Sequence, residues 1–291
     1  IFRQAPSAEV KSDLWSLNWP TFIFNLTGRI GLFTDNLVIA WAWGPAAVAA
    51  FFLTQRLATI ALLQVQGIGN ATWAGLVELH AQGQGEVFRA RLLELTALVS
   101  SLSICALAPI AAYNHHFIAR WVGEANFGGD AVTVLACVNV WFWGIFSLWN
   151  WPISGTGNIR KWVPFAVAFA VINLAVSIFG AVRFGLIGPL LGTLAAFVFV
   201  NCWAMPRLLG QLFAISPAAL WRAALAPFLW GVPLIAAVWF AGRSHTPRGW
   251  FMLLAEMSLA GGVGLLAWWT FGLPAMTRAL WWGRVKIALG R

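Results

Sequence analysis

The sequence predicts an all-α, polytopic membrane helix bundle of about eight transmembrane helices, from its composition, the length of its apolar runs and the placement of its Lys and Arg residues. Hydrophobic residues make up 60% of the chain and charged residues only 9%, with a mean hydropathy of +0.79. A water-soluble domain of this size has no use for so little charge.

A segment that crosses hydrocarbon must satisfy its own backbone groups, which takes about 20 predominantly apolar residues in a helix. Runs of that kind span 14–39, 46–77, 91–112, 131–151, 162–182, 185–206, 217–241 and 249–273. The first two hold most of the polar side chains found within runs: Asn25, Arg29, Asp35 and Asn36 in one, Gln55, Arg56, Gln64, Gln66 and Asn70 in the other. The second run is too long for a simple span, so its helix either extends beyond the hydrocarbon or breaks near Gly67 and Gly69. In the sixth, Gly185, Gly188 and Gly192 form a face that allows close helix approach. The 28 Gly and 13 Pro lie within runs as well as between them, which membrane bundles tolerate.

Loops taken alternately separate the positive charge. One side carries Arg3, Lys11, Arg89, Arg91, Arg160, Lys161, Arg207, Arg222, Arg278, Arg284, Lys286 and Arg291; the other carries Arg120, Arg183, Arg243 and Arg248. The positive-inside rule makes the richer side cytoplasmic, with both termini inside and an even number of crossings. The net charge of +9 is then a topology signal, and with no continuous basic stripe no nucleic-acid partner is expected. The expected layout is a cytoplasmic segment 1–13, six spans over 14–210, two more over 211–273 and a basic cytoplasmic tail 274–291.

Ionisable residues inside spans are costly unless they face a partner or a wet cavity. Arg29 and Asp35 stand six residues apart, about 120° around one helix, so they do not share a face, and Arg56 on the next span could reach either. Snorkelling or a structural ion pair would account for them without function. In a cavity, the planar forks of two arginines suit phosphate oxygens, Asp35 could balance them or exchange a proton or cation, and Asn25 and Gln55 add polar groups for sugar hydroxyls. Glu256, one-third into the last run, is a second candidate coupling residue, with interfacial placement the competing reading.

Other patterns carry less. Cys105, Cys137 and Cys202 lie in apolar runs without metal or redox spacing and read as small buried hydrophobes. His115 and His116 have no third ligand nearby, so no metal site is expected, and no cofactor. Among the 20 Trp, the pairs Trp149 with Trp151 and Trp281 with Trp282 suit interfacial belts. The segment around Gly83 and Gly85 lacks the context of a phosphate loop, and no Walker-type ATP site is present. The chain opens at Ile1 without a signal-peptide pattern, as the later part of a longer protein would.

Several stretches, in order, resemble one family. Leu17, Asn25, Gly28, Asp35 and Gly44, followed by Gln55-Arg56-Leu57, resemble the start of the second lobe of polysaccharide and lipid-linked oligosaccharide flippases, within the multidrug/oligosaccharidyl-lipid/polysaccharide exporter superfamily. FIARWVGEANF at 117–127 is similar to an outer-loop segment of that family, and SGTGNIRKW at 154–162 and FGLIGPLLGTLAA at 184–196 follow at the expected spacing. The resemblance covers positions 14–210; the last two runs share only hydropathy.

That resemblance implies a two-lobed, alternating-access transporter of the bacterial cytoplasmic (inner) membrane. Its cargo would be a polyprenyl-pyrophosphate-linked glycan, moved to the outer leaflet for envelope polysaccharide or lipopolysaccharide biosynthesis. By the same resemblance Asp35 occupies an acidic position important in the second lobe, while Arg29 and Arg56 approach the pyrophosphate. Eight spans supply only one lobe and two further helices, so a missing N-terminal lobe or partner subunit is implied, besides membrane lipids. The expected role is transport and not catalysis. The alternatives are a membrane glycosyltransferase or ligase, for which only Glu124 and Asp130 offer outer-loop acids, a non-catalytic scaffold subunit, and a multidrug exporter.

Overall fold

The computed structural model describes residues 8–273 together with residue 278. The first seven residues and the rest of the tail 274–291, with Trp281 and Trp282, lie outside the described residues. All regular elements among the described residues are helical, as hydrocarbon requires of a chain that cannot leave backbone groups unpaired. They are α1 (Ala8–Trp43), α2 (Pro45–Thr54), α3 (Arg56–Ala81), α4 (Gly85–Trp121), α5 (Asp130–Gly155), α6 (Ile159–Phe184), α7 (Gly188–Ala196), α8 (Cys202–Phe213), α9 (Pro217–Leu225), α10 (Phe228–Ser244) and α11 (Trp250–Ala267). A π-helical turn, Phe197–Asn201, joins α7 to α8.

At 37 residues α4 is about 55 Å long and forms the spine, with α3, α5, α9, α10 and α11 packed along it. A second group forms where α1 lies on α6 and α6 on α7. The two groups meet in an aromatic core of Phe142, Phe146, Trp149, Phe197 and Trp221. Buried hydroxyls tie this core together: Trp149 Nε1 donates to Thr96 Oγ1 at 2.9 Å, Trp141 Nε1 to Ser100 Oγ at 3.0 Å, and Ser100 Oγ to the Ala224 carbonyl at 2.6 Å. Hydrogen bonds of this kind, with close packing, associate helices where lipid removes the hydrophobic drive.

Five helical segments, or six when the bent pair α2–α3 is taken as one span, are long and apolar enough to cross a membrane. The chain is therefore a multi-pass, membrane-type helix bundle, with fewer qualifying segments than the eight expected. Two physical reasons account for the difference. Helix α1 is 36 residues long, but its polar residues keep it out of the apolar set. The expected runs 162–182 and 185–206 merge into one helical segment, Ile159–Phe213.

That segment is nonetheless folded back on itself. Gly185 adopts φ +66°, a left-handed conformation that stops α6, and α7 then returns along it. The approach is close enough that a Cβ on Gly192 would come within 2.8 Å of the Asn173 carbonyl oxygen. The close-packing role expected of Gly188 and Gly192 is realised here, while Gly185 makes the turn.

The break in the second run also differs from expectation. Helix α3 continues through Gly67 and Gly69, and Gly69 makes room for the Trp151 indole at 3.0 Å from where its Cβ would be. The chain bends instead by 48° between Thr54 and Arg56. Buried groups stabilise that bend: Asn114 Nδ2 donates to the Thr54 carbonyl at 2.8 Å and to Thr133 Oγ1 at 2.9 Å, and the Gly128 N–H donates to Thr54 Oγ1 at 2.7 Å.

Candidate functional site

The bend in α2–α3 turns Phe51, Phe52, Gln55, Ala58 and Thr59 toward α1, α5, α6 and α7. Helix α1 is anchored at its far end, where Trp43 Nε1 donates to the Ala181 carbonyl of α6 at 2.8 Å. Two turns earlier on α1 and one turn earlier on α6, Asp35 meets Ser177. The result is a cavity of ≈ 250 Å³, to which Asp35, Asn36, Gln55, Asn139, Asn173 and Thr193 contribute the polar lining.

The hydrogen bonds leave this cavity rich in acceptors. Ser177 Oγ donates toward Asp35 Oδ1 at 3.5 Å, and Thr193 lines the same cavity as the carboxylate. Asn173 Nδ2 donates to Thr193 Oγ1 at 2.9 Å, which leaves the threonine its hydroxyl proton to donate. Asn139 Nδ2 donates to the Leu190 carbonyl at 2.9 Å, and Gln55 Nε2 to the Phe51 carbonyl at 3.2 Å. With their amide nitrogens engaged, Asn139 Oδ1 and Asn173 Oδ1 have no partner among the described residues, although the two residues are only 4% and 1% exposed. An unsatisfied buried acceptor costs about 1–3 kcal/mol, so two of them beside a carboxylate call for a cation or a proton-bearing donor.

The donor set narrows the choice. Carboxylate, carboxamide and hydroxyl oxygens suit a hard cation or a hydrated proton and lack the thiolate or imidazole that select transition metals. No basic side chain lines the cavity. Among the described residues no three His, Cys, Asp or Glu gather as a metal cluster either.

Of the site residues read from sequence, the structure unites Asp35 and Gln55 in this cavity and places the others elsewhere. Arg56 is exposed, its guanidinium 6.0 Å from the centre of the Phe52 ring; Arg29 and Asn25 are exposed on α1. No ion pair among the described residues joins Asp35 to either arginine. Glu256 belongs to a separate cluster, 2.9 Å from His245. Asn139, Asn173, Ser177 and Thr193 were missed; their signal in the sequence is a few scattered amides and hydroxyls within largely apolar runs.

The apolar walls of the bundle enclose a second cavity of ≈ 380 Å³ lined only by hydrocarbon, aromatic and thiol groups, among them Ile104, Cys137, Trp141, Phe228 and Trp239. Comparisons with protein-family models, with curated proteins and with solved structures find no match.

Proposed function

We propose that this chain forms the second lobe of a carrier for lipid-linked oligosaccharide or polysaccharide precursors in the bacterial cytoplasmic membrane, coupled to a monovalent cation or proton at Asp35. The supporting observation is a carboxylate held among unpartnered buried amide oxygens beside a bent helix, within a multi-pass bundle. Irregular helices at mid-membrane are where secondary transporters gather the groups that hold coupling ions. In this reading the chain crosses the membrane eight times with both termini in the cytoplasm.

Arg29, Arg56 and Asn25 then serve the cargo and not the ion. They are exposed on helices that hydrocarbon would otherwise cover, and a charge facing lipid at mid-depth costs at least about 2.5–3.5 kcal/mol. A water-filled space between this lobe and an N-terminal lobe or partner subunit removes that cost and brings two guanidinium forks to a pyrophosphate headgroup. The polyprenyl tail stays in lipid.

The test is delivery of lipid-linked glycan to the outer leaflet, read by outer-face labelling in cells that depend on this gene. Asp35→Asn and Arg56→Ala are expected to abolish or strongly reduce labelling at normal protein levels. Unchanged labelling in both variants sinks the proposal.

One observation favours a second reading, a multidrug exporter: the cavity joins an acid to Phe51, Phe52, Trp143 and Phe169 with no base, a pattern suited to organic cations. Its ≈ 250 Å³ falls below the roughly 300–1,000 Å³ of drug-sized pockets, which favours the ion. Drug sensitivity of the same cells that changes with Asp35→Asn, while glycan labelling does not, would reverse this order.

A further inference from the structure

Three of the chain's four histidines, His115, His116 and His245, gather at the end of the bundle where α4 finishes and α10 passes into α11. His245 Nδ1 lies 2.9 Å from Glu256 Oε1, and the buried Tyr113 of α4 packs nearby, its ring 6.4 Å from that of His116. Glu256 is in the second turn of α11, with its side chain 20% exposed, whereas the His245 ring is 49% exposed. One group is thus held under the surface while the other reaches solvent.

The surrounding contacts all fasten the α10–α11 hairpin to the spine. His116 Nε2 faces the Gly242 carbonyl at 3.2 Å, and Arg120 donates to the Pro247 carbonyl. Gly242 packs so closely that a Cβ there would lie 2.8 Å from the Ala112 carbonyl oxygen. Leu253, fully buried, fills the seat with Ile104, Ala112, Tyr113, Leu234 and Val238. One face of α11 is exposed, with Phe251 at 89% and Leu266 at 66%, while the other stays on α4 beyond the seat, where a Cβ on Gly264 would lie 3.2 Å from Cys105 Sγ.

We infer that His245 and Glu256 form a proton-binding pair, separate from the Asp35 cavity, whose protonated state holds the start of α11 to the end of α10, which His116 and Arg120 fasten to α4. A solvent proton taken up by the imidazole adds a positive charge to the donor of a hydrogen bond whose acceptor is already a carboxylate, turning it into an ion pair across the loop with no other bond made or broken. Loss of that proton weakens the clasp, and the start of α11 then separates from the end of α10 and from α4. Three charged groups nearby have other partners: Arg243 pairs with Asp130, His115 lies 3.5 Å from Glu124 and Arg120 donates to the Pro247 carbonyl; Arg248 is in the same loop, its backbone N–H directed at Met252 Sδ. Neither the identity of the cargo nor the Asp35 site enters this inference.

The experiment is a pulsed electron-spin distance measurement on the full chain in lipid nanodiscs. Spin labels go on cysteines replacing the exposed Trp121 and Phe251, after the three native cysteines are changed to alanine. At pH 5.5 a single short distance is expected, and at pH 8.5 a second, longer population appears, bracketing the range in which histidine titrates. His245→Gln and Glu256→Gln are each expected to lose this pH response. His245→Lys, charged at both values, keeps the short distance throughout and serves where Glu256→Gln fails to fold. Identical distributions at both pH values in the parent overturn the inference, as does a response that survives in His245→Gln, which would assign it to His115 or His116.

Discussion

Asp35 sits in an apolar bundle beside two hydroxyl-bearing residues, Ser177 and Thr193, with no basic side chain lining its cavity to balance it. The amide oxygens of Asn139 and Asn173 complete an acceptor shell that the protein itself leaves unsatisfied. Ligand linkage then predicts a stability readout: whatever occupies this shell stabilises the folded protein by RT ln(1 + [L]/Kd), about 2.7 kcal/mol at a hundredfold excess over Kd. The thermal midpoint of purified protein should rise with added sodium at constant pH if the ligand is a metal cation, or on acidification alone if it is a proton. Asp35→Asn and Asn173→Leu should both lose the effect. A parent protein indifferent to both treatments rules out occupancy of the shell.

At the scale of elements, two joints decide the architecture. The α2–α3 bend rests on Asn114, whose amide supplies the donor that the interrupted helix fails to give the Thr54 carbonyl. Asn114→Leu removes that donor in a buried setting and should cost about 1–3 kcal/mol, measured by chemical unfolding in detergent. The α6–α7 hairpin rests on small residues, and Gly192→Val drives a branched side chain into the Asn173 backbone. The resulting overpacking should cost about 1–3 kcal/mol or more and should also displace Thr193 from Asp35, so that sodium or acid no longer raises the thermal midpoint.

For the whole molecule, the question is which exposed surface meets water and which meets lipid. Phe179 and Leu259 are exposed hydrocarbon side chains, at 62% and 69%, whereas the exposed Asn25, Arg29 and Arg56 are polar. Single cysteines at Asn25 and Arg56 should react with a membrane-impermeant thiol reagent in cells, and cysteines at Phe179 and Leu259 should not. Equal protection of all four positions would remove the wet inter-lobe space on which the cargo reading depends.

Helicity and membrane insertion were decided by the sequence alone, because composition and run length leave a chain in hydrocarbon no other way to pair its backbone. Asp35 and Gln55 were legible as site residues because a charge or amide within an apolar run is costly wherever the run goes. Asn139, Asn173, Ser177 and Thr193 were not, since scattered amides and hydroxyls have no meaning until α5, α6 and α7 bring them around Asp35. Arg29 and Arg56 illustrate the converse: the sequence set Arg29 on another face of Asp35's own helix and left Arg56 on the next span within reach, but both are exposed and neither lines the cavity. The helices were a local, backbone-driven outcome; the bend, the hairpin and the acceptor shell arise from contacts across 20 to 140 residues, which only the tertiary packing decides.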